Sequence, residues 1–147
     1  VNQQEFYLLP MGDKLMHFDK IAINTIVKNH TGEASSCDIE FTKDFEKYKH
    51  DYLRYTEQVA KSCKDRDLSE ESMVIGTSAI VDTELEFAGG MYSGIYNNPF
   101  IIWGKYSKHF FKYYLNISFQ FHHAQMDGAH ASQFLNKLQQ VIDELHI

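Results

Sequence analysis

Proline is nearly absent from this chain, with two in 147 residues, and no glycine- or serine-rich tract or internal repeat interrupts it. Nothing therefore marks a linker, and residues 1–147 are expected to form a single domain. Cysteine is equally scarce. Cys37 and Cys63 have neither the number nor the spacing of a disulfide framework or a zinc site, so no metal is expected and a reducing, cytoplasmic setting fits. Basic residues are outnumbered, 14 Lys and Arg against 20 Asp and Glu, and the formal charge of -6 disfavours a sequence-independent grip on nucleic acid. No apolar run approaches the roughly 18 residues that span a bilayer, and no secretory apolar segment opens the chain, so no membrane partner is expected. Two glycosylation-like triplets, Asn29-His30-Thr31 and Asn116-Ile117-Ser118, are of a kind common by chance and carry no weight. What is abundant is core material: 44% hydrophobic and 14% aromatic residues, enough for a globular interior. The chain begins at Val1, without an initiator Met, and enters the strand-like Glu5-Phe6-Tyr7-Leu8-Leu9 at once, so a segment upstream is expected to be missing.

Strand character marks 6–9, 15–18 and the β-branched run 21–27, and extends to 34–41 after a His30-Thr31-Gly32 turn. The period then changes. Phe45, Tyr48, Tyr52, Tyr55 and Val59 recur at steps of three and four, predicting an amphipathic helix over 43–64 with Thr42 as its cap. An apolar strand at 73–81 is followed by 84–87 and a Gly89-Gly90 turn, and 100–106 and 113–121 read as two long strands of a hairpin turning around 107–111. Ala131, Phe134, Leu135, Leu138, Val141, Ile142 and Leu145 form a helical stripe from about 129 to the end. The order gives an α/β fold, a two-layer mixed β-sheet with helices packed on it.

The penultimate element delivers His122-His123-Ala124-Gln125-Met126-Asp127-Gly128 into a turn before the last helix. Histidine titrates nearest neutrality among side chains, so it can take a proton from an attacking alcohol and return it to a leaving group. Asp127 stands where it can pair with a cation or cap the helix, and Gly128 where a backbone could approach closely. Read from position alone, a His pair at a strand end is more often packing or surface, and Asp127 an ordinary cap. His122, His123, His130 and Asp127 lie close enough in sequence to suggest a metal, but adjacent strand residues point to opposite faces and would not readily share one ion.

The run from Gln120 through His122-His123-Ala124-Gln125-Met126-Asp127-Gly128-Ala129-His130, continuing over Phe134-Leu135-Asn136-Lys137-Leu138-Gln139-Gln140, resembles the active-site segment of the chloramphenicol acetyltransferases, His-His-x-x-x-Asp-Gly and then a helix. The resemblance extends along the whole chain, which looks like the C-terminal two thirds of such a domain with the CoA-dependent acyltransferase fold. It implies an acetyl-CoA-dependent O-acetyltransferase of the kind that confers antibiotic resistance, acting on chloramphenicol or a related small hydroxyl-bearing molecule. His123 would be the general base and Asp127 its structural partner, fixed in the family by an arginine; Arg54 and Arg66 do not match that arginine, so Asp127 is expected to lose its partner. Lys105 and Tyr106 inherit contact with the adenosine end of CoA, and Asn24-Thr25-Ile26-Val27 looks like a substrate-pocket strand, making Thr25 a candidate for the acceptor.

The resemblance further implies a homotrimer in which the catalytic histidine of one subunit faces the acceptor pocket of its neighbour. Where the family has a serine before Pro-Trp as the oxyanion donor, this chain has Thr77-Ser78-Ala79 followed by Ile80-Val81; Ser78 is the first choice and Thr77 the reserve. Ala34 falls where the family usually has an aromatic residue of the antibiotic pocket. The alternative is a truncated or degenerate, non-catalytic member of the same fold. A dihydrolipoamide-type acyltransferase shares the Asp-Gly ending, but normally has Arg in place of a second consecutive His.

Overall fold

A computed structural model of the chain describes residues 3–90 and 97–144. Its strands are β1 (Leu8–Met11), β2 (Lys14–His17), β3 (Ile21–Lys28), β4 (Ala34–Glu40), β5 (Met73–Ala79), β6 (Phe100–Trp103), β7 (Ser107–His109), β8 (Lys112–Tyr114) and β9 (Ile117–Gln120). The helices are α1 (Phe45–Ser62) and α2 (Gly128–Glu144). Five strands form the main sheet in the order β4-β3-β5-β6-β9, while β1-β2 and β7-β8 are separate two-stranded ladders. In the main sheet β3, β5 and β6 run parallel, flanked by antiparallel β4 and β9.

The register explains where the core lies, because paired residues share a face. Ile21 stands opposite Met73, Ile23 opposite Ile75 and Ile39, and Ile101 opposite Phe119. That face carries both helices. α2 brings Phe134 and Leu138 onto Ile75, Ile101 and Phe119, with Phe6 and Met126 completing the cluster, and α1 lays Tyr48, Tyr55 and Val59 on Cys37 and Ile39. The architecture is the expected two-layer α/β arrangement. Toward the opposite face, Asn24 donates to Ser36 Oγ and Asp38 Oδ1, both at 2.6 Å, and Asp38 Oδ2 accepts from the Leu68 amide at 2.9 Å.

Several boundaries differ from the sequence expectations, each for a local reason. Residues Gln4–Tyr7 form a 3-10 turn that drops Phe6 into the core, and the strand begins only at Leu8. Asp44 caps α1 in place of Thr42: its carboxylate accepts from Lys47 N at 3.0 Å, while Thr42 Oγ1 accepts from Asp44 N at 3.3 Å. The helix stops at Cys63, whose left-handed φ of 54° ends the ladder with its amide on Val59 O. Residues 84–87 belong to a loop. The two long strands expected at 100–106 and 113–121 are each broken, leaving a distal hairpin, β7-β8, beyond the main sheet. Gly104 sits at the first break: a Cβ there would lie 2.6 Å from Thr83 O and 2.8 Å from Leu85 Cγ, so the 83–85 loop crosses against bare backbone. Phe110 turns the distal hairpin at φ 54°, and its ring and that of Phe111 are almost fully exposed, at 94% and 96%. Both cysteines are free, Cys37 buried and Cys63 exposed. Leu145, the last position of the expected α2 stripe, lies outside the described residues. Among the described residues no helix is long and apolar enough to cross a membrane.

Candidate functional site

At the end of β9, Phe121 turns into the core beside Phe119, with ring centroids 5.4 Å apart. The next five residues form a tight turn. The carbonyl of His122 accepts from the amides of Gln125 at 2.9 Å and Met126 at 3.3 Å, and His122 Nδ1 accepts from the Ala124 amide at 3.1 Å. This tautomer leaves the His122 ring serving its own turn. Gln125 and Met126 point inward and are buried, whereas His123 and Ala124 stand exposed at the apex. An exposed imidazole on a turn tied at both limbs can meet a substrate without any opening of a packed interior.

Asp127 closes the motif as the cap of α2. Its Oδ1 accepts from the Ala129 amide at 2.9 Å and the His130 amide at 3.0 Å, and lies 2.7 Å from His130 Nδ1. Asp127 thus has a partner within the described residues: His130, one turn on, pairs with it through Nδ1, and His130 Nε2 lies 3.4 Å from Glu5 Oε1. Both arginines are engaged elsewhere, with the guanidinium groups of Arg54 and Arg66 at 4.8 Å and 3.9 Å from the centre of the Tyr55 ring. The His130 amide first, and then its ring, hold the Asp127 carboxyl below the usual carboxylate range. A group whose folded-state pKa is depressed adds stability that is complete above its unfolded value, near 3.9, and is lost as pH falls through the folded value. Asp127→Asn keeps an oxygen for the cap but cannot ionise. Its melting temperature is expected to drop less than that of the unaltered chain between about pH 5 and about pH 3, as thermal melts across that range would record. Gly128 needs no special space within the chain, contrary to its expected close approach, since a Cβ there would meet nothing within 4 Å.

The other candidates lie in two further places. Thr25, Thr77 and Ser78 line one cavity of about 530 Å³, together with Ala34, Tyr48 and Trp103. Thr77 Oγ1 donates to Asn24 O at 2.7 Å, which commits its proton. Tyr106 lines a groove of about 860 Å³ between the distal hairpin and α2, with Tyr113, Leu135 and Leu138 among its walls, and Tyr106 packs edge-on against Tyr113 at 5.6 Å. Lys105 precedes it, exposed, with its amide on Thr83 O at 2.8 Å. His123 lines neither cavity, so within one chain the base candidate and the hydroxyl candidates are not brought together. Among the described residues no group of three or more His, Cys, Asp or Glu is placed to hold a metal.

Two residues that matter to this geometry were not singled out in the sequence, Gln3 and Gln125. Gln3 Nε2 donates to His130 O at 3.1 Å and Gln133 Oε1 at 3.3 Å, and Gln125 Nε2 donates to Glu5 O at 3.1 Å and Leu8 O at 2.6 Å. Neither falls on a periodic pattern, and their partners lie more than a hundred residues away in the chain. For Gln125 the sequence signal is an amide side chain inside an otherwise recognisable motif; for Gln3 there is none.

The profile of the chloramphenicol acetyltransferase family matches residues 1–139. A chloramphenicol acetyltransferase of Staphylococcus aureus is 28% identical over 143 residues, covering 90% of this chain and 64% of the relative. One from Clostridium butyricum is 33% identical over 122 residues, covering 80% of this chain and 55% of the relative. This chain thus spans somewhat under two thirds of the length of these relatives. Among solved structures, a chloramphenicol acetyltransferase superposes with a TM-score of 0.76 at 20% identity, covering 93% of this chain and 69% of the other. A dihydrolipoamide acetyltransferase of Azotobacter vinelandii superposes with a TM-score of 0.70 at 14% identity, covering 96% and 62%. The shared fold is that of the CoA-dependent acyltransferases.

Proposed function

Because the chain belongs to the chloramphenicol acetyltransferase family, we propose that it carries the catalytic histidine of an acetyl-CoA-dependent O-acetyltransferase, with His123 as general base. The observation that carries this reading is the exposed imidazole of His123 at the apex of a turn tied to the core on both sides. His123, neutral at the start, takes the proton of an acceptor hydroxyl as its oxygen attacks the acetyl carbonyl of acetyl-CoA. The C–O bond forms and the carbonyl electrons move onto oxygen, giving a tetrahedral oxyanion. Ser78 is the better donor to that charge, since the Thr77 proton is already committed to Asn24 O. Collapse breaks the C–S bond, and the imidazolium returns its proton to the departing thiolate, so no acyl-enzyme is needed.

Thr25, Thr77 and Ser78 share a cavity with Ala34, and the small side chain at 34 leaves room for an acceptor bulkier than the family's usual one, so chloramphenicol is a first substrate to test rather than the expected best one. The separation of His123 from that cavity within one chain supports a homotrimer in which the histidine of one subunit completes its neighbour's pocket. Sedimentation equilibrium is expected to give three subunits, and a monomer with full activity would sink the shared site. Lys105 and Tyr106 are proposed to hold the adenosine end of acetyl-CoA, Tyr106 from the groove it lines beside α2.

Titration calorimetry with acetyl-CoA tests the reading as a whole. Binding supports it, and a folded sample that takes up no heat favours a non-catalytic member of the fold, the reading motivated by exposed Ile80 and Val81 at the end of β5. Offering alcohol and thiol acceptors side by side separates O-acetyl transfer from a dihydrolipoamide-type reaction.

A further inference from the structure

We propose that Gln125 is a positioning residue for His123, a part that rests on His123 being the base and that the family motif, which leaves this position open, does not assign. The turn between β9 and α2 is pinned on its first limb by Phe121 in the core and on its second by Met126 and Gln125. Of these, only Gln125 fixes the turn by directed bonds. Its side chain lies in a residue 5% exposed, and Nε2 spends both protons on main-chain carbonyls, Glu5 O at 3.1 Å in the 3-10 turn and Leu8 O at 2.6 Å at the start of β1. A methyl or thioether group in the same space would fill it but would fix neither direction nor depth.

Among the described residues Gln125 Oε1 is buried without a hydrogen-bond partner, a cost that an apolar residue would not carry. What the amide supplies, and an apolar side chain of the same size could not, is the pair of directed bonds made by Nε2. Those bonds tie the N-terminal segment to the turn two residues from His123, and Gln3 on His130 O and Glu5 beside His130 tie the same segment to the first turn of α2. The imidazole is thus carried on a loop whose height above the sheet is set by residues 3–8. A general base displaced by a fraction of a bond length loses much of its effect, and the loss appears in turnover rather than in the affinity for the thioester.

Gln125→Met, close in length and without a donor, tests this. The kcat for acetyl transfer from acetyl-CoA to chloramphenicol should fall about tenfold while KM for acetyl-CoA stays within about twofold, and the amides of residues 125 and 126 should exchange with solvent about tenfold faster relative to those of β5. In a His123→Ala background the same change should cost nothing further, because a residue acting through the imidazole has nothing left to position. An unchanged kcat in Gln125→Met alongside an inactive His123→Ala overturns the proposal while leaving the base assignment intact, and so does an equal loss in both backgrounds, the mark of a merely structural role. Should His123→Ala stay active, both readings fall together. If Gln125→Met does not fold, the unaltered chain decides: slow exchange of the Gln125 side-chain amide protons in a nuclear magnetic resonance experiment supports the clamp, and fast exchange refutes it.

Discussion

Replacing His123 by alanine is expected to lower kcat for acetyl transfer by about 10²–10⁴-fold, the usual worth of a positioned general base. Acetyl-CoA should bind as before, because nothing in the mechanism asks the imidazole to hold the thioester in the ground state, so kcat and kcat/KM should fall together. The exposed position of the ring makes this a clean experiment: the side chain fills no core space, and the melting temperature should barely move. Steady-state rates with acetyl-CoA and chloramphenicol, followed by release of the free thiol, supply the measurement. Near-normal turnover in the alanine variant would remove His123 from the chemistry.

The second large effect concerns stability. Phe134→Ala is expected to destabilise the chain by about 3–5 kcal/mol, since a buried phenyl group is lost and the cavity left behind closes only in part. Phe134 is 7% exposed and lies where α2 meets the sheet: its ring stands edge-on to Phe6 at 5.0 Å and tilted against Phe119 at 4.8 Å. A domain of ordinary stability holds only about 5–15 kcal/mol in reserve, so this one truncation removes a large share. Urea unfolding followed by circular dichroism would show the midpoint drop with little change in slope. A shift worth less than about 1 kcal/mol would mean that α2 is not docked on the sheet through this ring. Activity is expected to suffer as well, because the helix that loses its anchor begins at the residues that close the His123 turn.

Much of the fold is legible in the sequence. The α2 stripe, the change of period at α1 and the β-branched run of β3 depend on side-chain spacing that a one-faced core imposes directly, and each element lies within a few residues of its expected place. The cap of α1 is ambiguous in the sequence because Thr42 and Asp44 are both good caps; only the backbone decides which of them is half inside the helix. The break after β6 was hidden because a glycine in an apolar run is compatible with a continuous strand, and its reason, the 83–85 loop crossing at Gly104, lies outside the local sequence. The candidate site divided in the same way. The turn at His123 and the cap by Asp127 fall within a short contiguous motif, whereas the contact of His130 with Glu5 and the grip of Gln125 on residues 5 and 8 depend on chain segments far apart in sequence.

The parallel pairing at the middle of the sheet has a consequence for recovering the protein from denaturant. β5 is hydrogen-bonded to β3 on one side and β6 on the other, and neither partner is reached by a simple hairpin: α1 and its flanks intervene before, and the 80–99 stretch after. The central strand therefore has to wait for two long loops to close, while α1, built from neighbours in sequence, can form early. Renaturation should be slow for a chain of this size and should leave half-made strands unpaired for some time, so yield should improve on dilution and fall steeply in concentrated samples.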